Sequence, residues 1–344
     1  MGGKFYAVDT LYSFLPADFS EKYYVVGEPF GGGGTFILNF PEEFTRDRVF
    51  VYNDIDGSIS ALFYVLAVPG LFYKFIDFAR WSIRSYLCFK GAVVQSNVIS
   101  ETLTAEDFAN NNEEKILNAA VLALMSLRMS FAGRALKKNH SFARQTKKTA
   151  LKKYAESSAS KKRVCPTDKL VLAFSKIQTG STRMVLELLP DDIADWTGDE
   201  FRRVLEPFRK RMTTPGFHVE SCDFEKVFKN YGSERSFFYL DPPYYGLESY
   251  YRKTFDEKDH ERLLDRLKNF EGAFLLSYNA HEWVIDSYQE AGFHVWTELN
   301  GGWRYSAGSG DVRSRNATDY EVFITNYDNP RAVIGNRRQV TFLG

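Results

Sequence analysis

The sharpest chemical signal in the chain is Asp241-Pro242-Pro243-Tyr244, directly after the apolar run Phe237–Leu240. Two consecutive prolines remove two backbone donors and stiffen the chain. The Asp241 carboxylate and the Pro242 carbonyl can then both accept hydrogen bonds from one NH₂ group. The Tyr244 ring can stack on a planar base. Taken alone, the same four residues also read as a rigid turn with Asp as a cap. Two other strand ends change the balance. Gly31–Gly34 forms a glycine turn, and glycines permit positive φ and close approach of the backbone to a ligand. Phe36 and Ile37 stand where G-x-G-x-x-G has its third small residue, so by itself this turn is equally a bland one. Asp54 closes the next strand 20 positions after Gly34, the offset at which an acid binds ribose hydroxyls. Turn and acid together point to a nucleoside-containing cofactor. The tetrapeptide points to a substrate that is planar and carries an amino group.

These residues need strands to present them. Tyr23–Val26 and Val49–Tyr52 read as short buried strands. A helix is expected to begin within the Glu28–Phe36 turn, and a short amphipathic helix over Gly2–Pro16. After about Gly216 the alternation resumes. Strands are expected at Phe237–Leu240, Ala273–Ser277, Phe293–Glu298 and Glu321–Asn326, and helices at Glu257–Asn269 and Ala280–Ala291. His260 and His281 are read as serving helix ends or the surface. Gly301–Asn316, which includes Trp303, Arg304, Arg313 and Arg315, has loop composition. The middle is helical in pattern, with Ile116, Ala119, Ala120, Leu124 and Leu127 at helical spacing in Glu113–Leu127. The fold class is therefore α/β: a doubly wound, Rossmann-like sheet, mostly parallel, with one antiparallel strand near an edge. It is interrupted by a mainly helical insertion. The expected boundaries are 1–68 and 196–344 for the α/β domain and 69–195 for the insertion.

The 344 residues carry 44 Lys and Arg against 44 Asp and Glu, a net charge of zero. That excludes a uniformly basic polyanion binder, but the charge is unevenly placed. Arg134–Arg163 holds eleven basic residues and one acid, +10, leaving 33 bases against 43 acids, −10, elsewhere. This stretch reads either as a solvated face or as phosphate-contacting, with Phe142, Tyr154 and His140 interleaved. Three scattered cysteines make neither a disulfide framework nor a metal site. They suit a reducing cytoplasm, and no basic-then-apolar leader opens the chain. The apolar run Ala61–Tyr73 is broken by Pro69 and Gly70 and falls short of the ~20 residues of a membrane span.

The set resembles the Dam-like DNA adenine-N6 methyltransferases, in which the cofactor motif comes first, then a recognition insertion, then DPPY. Gly2-Gly3-Lys4 resembles the opening GGK of that family, and Glu28–Gly34 its E-P-F-x-G-x-G loop. Asn53–Asp56 resembles the ribose-binding strand end, and Asp223-Phe224 the element beside the cofactor adenine. Phe255–Leu263, Leu275–Asn279 and Glu321–Asn326 resemble later family segments. The insertion resembles the family only through Leu127–Arg134, so no target sequence carries over.

The resemblance implies S-adenosylmethionine as methyl donor and double-stranded DNA as substrate. It implies a cofactor site of Lys4, Phe30, Gly32, Gly34, Asp54, Ile55, Asp223, Phe224 and Asp241. Catalysis falls to Asp241, Pro242, Pro243 and Tyr244, acting on a flipped-out adenine. DNA contacts are expected from Arg134, Lys137, Lys138, Arg144, Lys147 and Lys148. No metal or membrane is expected, and a cognate restriction nuclease is a possible partner of such a family member. Cytosine-N4 and RNA-adenine methylation keep the same fold and cofactor. A degenerate, non-catalytic DNA-binding module is disfavoured by the intact Asp54 and Asp241–Tyr244. Cytosine-C5 chemistry is disfavoured because it requires a cysteine nucleophile, commonly in Pro-Cys, whereas Cys165 precedes Pro166 and lies in the basic insertion. A nicotinamide dehydrogenase is disfavoured because the third fingerprint glycine is missing and no hydride-relay His or Tyr is evident.

Charge reversal of Lys147, Lys148, Lys152 and Lys153 is expected to weaken DNA binding. It should also flatten the salt dependence, by ~0.9 in log–log slope for each phosphate that is no longer neutralised. An unchanged slope in a salt titration returns this stretch to a solvated face.

Overall fold

Seven runs rich in β-branched and aromatic residues pair into one sheet in the computed structural model, which describes residues 8–41, 45, 47–76, 105–129, 209–248, 255–297 and 321–328. The strands are β1 (Val25–Glu28), β2 (Val49–Asn53), β3 (Phe217–Glu220), β4 (Ser236–Leu240), β5 (Ala273–Asn279), β6 (His294–Thr297) and β7 (Glu321–Thr325). Their order across the sheet is β3-β2-β1-β4-β5-β7-β6. The β1–β2, β2–β3, β1–β4 and β4–β5 pairs are parallel. β7 runs antiparallel to both β5 and β6. The expected α/β sheet, mostly parallel with one antiparallel strand beside the edge, is what forms.

The order has a direct consequence for function. From β1 the chain builds outward through β2 to β3, then returns to lay β4 on the other side of β1, with Val25 opposite both Val49 and Ser236. Ligands of open α/β sheets bind outside the carboxyl ends of the strands at this kind of reversal. The residues that leave those ends are Glu28–Gly34 after β1, Asn53 and Asp54 after β2, and Asp241 after β4. Because β7 is antiparallel, its first residue, Glu321, lies opposite Asn279, the last of β5.

Helices cover both faces, which is why β4, β5 and β7 are buried at every position. On one face Phe237 and Tyr239 meet Phe36 of α3 (Thr35–Leu38), with the Phe36 and Tyr239 rings stacked at 4.7 Å. The short helices α1 (Val8–Ser13) and α2 (Phe19–Lys22) precede β1. On the other face Phe238, Leu240, Phe274 and Leu276 share a core with three helices. These are α7 (Phe224–Tyr231), α8 (Glu257–Lys268) and α9 (Glu282–Glu290). Asp223 caps α7 by accepting from the Glu225 amide, and Asp256 and Asp259 make a reciprocal capping box at α8.

Expected at Tyr23–Val26, the first strand instead spans Val25–Glu28. Tyr23 is taken by the end of α2, where its amide donates to the Phe19 carbonyl. β3 and α7 lie in a stretch where no element was expected. β3 is an edge strand with half-exposed residues, which weakens the alternation on which a strand assignment rests.

The chain divides into two compact units, Met1–Ile55 with Pro215–Gly344, and Asp56–Thr214. The second contains α4 (Gly57–Ala67), α5 (Ala105–Ala109) and α6 (Glu113–Met129). It starts earlier than the 69–195 insertion because α4, capped by the Asp56 side chain, packs on α6. Ile59, Ala61 and Val65 of α4 and Ile116, Ala119 and Ala120 of α6 are buried. After α4 the chain bends by 110° into a helical segment at Pro69–Ile76, and no single described helix is long and apolar enough to cross a membrane.

Phe36→Ala removes the ring that docks α3 onto β4. About 3–5 kcal/mol of stability should be lost, seen as a lower urea midpoint at unchanged m-value.

Candidate active site

The glycine turn is held closed by its neighbours. Buried Glu28 ends β1 and accepts from the amides of Phe36, at 3.4 Å, and Ile37, at 3.0 Å, which fastens the start of α3. A Cβ at Gly31 would lie 2.3 Å from the Tyr52 ring and 2.8 Å from the Asn53 carbonyl oxygen, so only glycine fits. Gly32 has φ +48°; its amide donates to Asp54 Oδ2 at 2.8 Å, and its carbonyl accepts from the Tyr52 hydroxyl at 2.8 Å. Gly34, also at positive φ, leads into α3. The large residues at 36 and 37 are thus core anchors in place of a third glycine.

Asp54 is therefore joined to the turn whose spacing pointed to it. Its Oδ2 holds the Gly32 amide, and its backbone carbonyl accepts from the Ser221 hydroxyl at 3.2 Å. Next to it Ile55 is 50% exposed, an open apolar face of the kind a planar ring covers. Asn53 was expected only as part of the ribose-binding strand end, yet it is the clamp of this corner. Its Nδ2 donates to the carbonyls of Pro29, at 2.8 Å, and Cys222, at 3.0 Å, and its Oδ1 accepts from the Cys222 amide at 2.9 Å. Burial pushes the Cys222 thiol up to about 11, which leaves it protonated and a poor nucleophile.

Asp223 and Phe224 sit on the same corner. Asp223 Oδ1 accepts from the Glu225 amide and from Arg262 Nη2, at 3.0 Å. Arg262 also binds Glu225 and Asp259 and lies over the Phe224 ring, 5.0 Å from its centroid. The Phe224 ring is buried against Phe30 and Phe255, at 5.3 and 6.1 Å. It backs the corner, whereas Ile55 presents the open face. Arg262 is a residue that spacing could not reveal, since its partners Asp223 and Glu225 lie on another segment.

Asp241 leaves β4 half-buried, followed by buried Pro242. Tyr244 is also buried, and its hydroxyl donates to Glu321 Oε1 at 2.6 Å. Its ring was expected to stack on a base; in this structure it is only 5% exposed and reaches toward β7. At the end of β5, Asn279 Nδ2 donates to the Tyr245 carbonyl at 3.0 Å, while its buried Oδ1 has no partner among the described residues. His281 caps α9, as expected of a helix-end residue, by accepting from the Trp283 amide. His260 is fully buried in α8 and not at the surface.

Three carboxyl groups converge here. Burial pushes Glu28 up to about 8, and the nearby charges of Asp241 and Asp54 raise it further against the two amide hydrogen bonds that lower it. Glu28 is thus largely protonated at neutral pH, while the corner around it stays acidic. Among the described residues no cluster of His, Cys, Asp or Glu is placed to hold a metal ion. Lys4, Arg134, Lys137, Lys138, Arg144, Lys147 and Lys148 lie outside the described residues, as does Gly301–Asn316.

Residues 201–301 match the D12 class N6 adenine-specific DNA methyltransferase family. That stretch carries the family's domain. No curated protein matches it. The matched segment contains β3 to β6 and Asp241–Tyr244. The glycine turn and Asp54 lie outside it and join it through the β1–β4 and β2–β3 pairings. The family acts on adenine in DNA, so this chain is an adenine-specific DNA methyltransferase.

A carboxyl group whose native pKa lies above its unfolded value binds more protons folded than unfolded between the two values, so stability falls as pH rises through that window. For Glu28 the window runs from 4.5 to about 8. Glu28→Gln should remove this downward slope from a plot of unfolding free energy against pH. A slope that persists in the variant refutes the assignment to Glu28.

Proposed function

We propose that the enzyme transfers the sulfonium methyl group of S-adenosylmethionine to N6 of an adenine flipped out of duplex DNA. One observation carries the reading. The β1–β4 pairing puts the end of β4, with the Asp241 carboxylate and the Pro242 carbonyl, beside the strand that leads into the glycine turn. The described residues fit the cofactor. The backbone of Gly32–Gly34 is free of side chains to lie along the methionine portion. Asp54 is assigned to the ribose, and Ile55, which is half exposed, to the adenine ring. An acidic corner around Asp54 and Asp241 suits a cationic sulfonium. Lys4 is assigned to the cofactor carboxylate, and Phe30, Asp223 and Phe224 to the adenine side of the pocket.

When bound, S-adenosylmethionine supplies an activated methyl group. The chain supplies position and charge. A target base cannot be reached inside a duplex and has to be extruded. Its amino nitrogen is a poor nucleophile because its lone pair is delocalised into the ring. Hydrogen bonds from that NH₂ to Asp241 and to the Pro242 carbonyl draw the nitrogen toward tetrahedral geometry and localise the pair. Pro243 stiffens the acceptor pair, and Tyr244, bonded through its hydroxyl to Glu321, is assigned to hold the catalytic segment in place. Attack is direct, so orientation and preorganised electrostatics lower the barrier without a covalent enzyme intermediate. Arg134, Lys137, Lys138, Arg144, Lys147 and Lys148 are assigned to DNA phosphates, as the +10 charge of Arg134–Arg163 suits.

The test is transfer of a tritiated methyl group from S-adenosylmethionine to unmethylated mixed-sequence duplex DNA, followed by nucleoside analysis. Label on N6-methyl-2′-deoxyadenosine is expected. Label on cytosine, or on RNA alone, overturns the reading. Asp241→Ala should lower the transfer rate by roughly 10²-fold or more with cofactor binding largely kept.

A further inference from the structure

The two prolines that make the acceptor pair also create a mechanical problem. Neither Pro242 nor Pro243 has an N–H, so this stretch of backbone cannot be fastened by its own donors. Its position is set by the β4 ladder before it and by whatever anchors the chain after it. Three of the contacts that anchor Tyr245–Glu248 bear on this. The Tyr245 carbonyl accepts from Asn279 of β5, and the Tyr245 ring stacks on Trp283 of α9 at 4.6 Å and 13°. The third anchor runs to α8. Glu248 Oε1 accepts from the Gly246 amide at 2.7 Å and from His260 Nε2 at 3.0 Å, and His260 Nδ1 is bonded to the Tyr278 hydroxyl. Gly246 is at φ +76°, so the turn this carboxylate closes is one that few other residues would adopt.

We infer that His260 and Glu248 are a positioning pair for methyl transfer, holding the segment after Asp241–Tyr244 so that the Pro242 carbonyl stays aligned with the Asp241 carboxylate. The inference rests on the proposed function. A carboxylate can only accept, so the hydrogen on His260 lies on Nε2, and Nδ1 accepts from Tyr278. The imidazole has no exposed surface, and both of its nitrogens are bonded. That makes it a rigid link from the β5 strand end to an otherwise exposed turn. Sub-ångström misplacement of acceptors is enough to cost a large part of a rate.

The experiment compares single-turnover methyl transfer to unmethylated mixed-sequence duplex DNA at saturating S-adenosylmethionine with cofactor affinity by calorimetry, using the full chain. Glu248 is part-exposed, with 29% of its side-chain surface open, so Glu248→Ala leaves the core intact. Glu248→Ala and His260→Leu should each slow transfer by about tenfold or more, with cofactor affinity changed less than about threefold. The double variant should be no slower than the worse single one, because both cut one link. Glu248→Gln keeps an acceptor oxygen and should recover most of the rate. An unchanged rate in Glu248→Ala, an equal loss of cofactor affinity, or additive losses in the double variant overturns the assignment. A wild-type chain that binds the cofactor yet methylates no DNA overturns the functional reading, and the pair's role falls with it.

Discussion

The parallel pairing of β1 with β4 is the contact on which the site depends. It sets Val25–Gly27 against Ser236–Phe238, so the residues that leave the two strands share one rim of the sheet. One strand delivers a glycine turn and the other an acceptor pair. Parallel strands cannot be joined by a tight turn, and here the connection between these two neighbours includes the whole second unit. That arrangement lets two segments far apart in sequence, Glu28–Gly34 and Asp241–Tyr244, leave the same edge of the sheet. The flanking strands complete the rim: β2 adds Asn53 and Asp54, and antiparallel β7 returns Glu321 to the end of β5.

The rim itself is built with few mobile groups. Backbone amides, glycines and prolines form its working surface, and buried side chains hold them from below. Asn53 saturates three backbone groups on two segments. Glu28 holds the start of α3, and Tyr52 the Gly32 carbonyl. Buried polar groups of this kind are costly unless bonded, and bonded they fix one geometry. The exposed members, Ile55 and half-buried Asp54 and Asp241, are the ones to which the proposed function gives direct ligand contacts.

Electrostatics divides the chain by role. The zero net charge conceals +10 within Arg134–Arg163 and −10 elsewhere. Part of that negative charge converges at the strand ends, where burial and neighbouring acids keep Glu28 protonated well above the usual carboxylate range. The proposed function uses this division: an acidic corner for a cationic donor and the basic stretch for a polyanionic substrate.

What the sequence alone determined is local. Apolar runs marked β2, β4, β5 and β7 closely, because strands buried on both faces read as continuous apolar segments. The glycine turn, Asp54 and Asp241–Tyr244 were legible because each is a short contiguous pattern at a strand end. β3 and α7 were not, since an edge strand has no clean alternation and α7 follows it directly. Tertiary structure alone decided that these ends meet, that Asn53 clamps Cys222, that Arg262 gathers Asp223 and Glu225, and that His260 is buried against Glu248 and Tyr278. Each of those contacts joins segments brought together only by the order in which the strands pair. The physical reason is that hydrogen bonding and burial depend on neighbours in space, whereas periodicity and motif spacing report only neighbours along the chain.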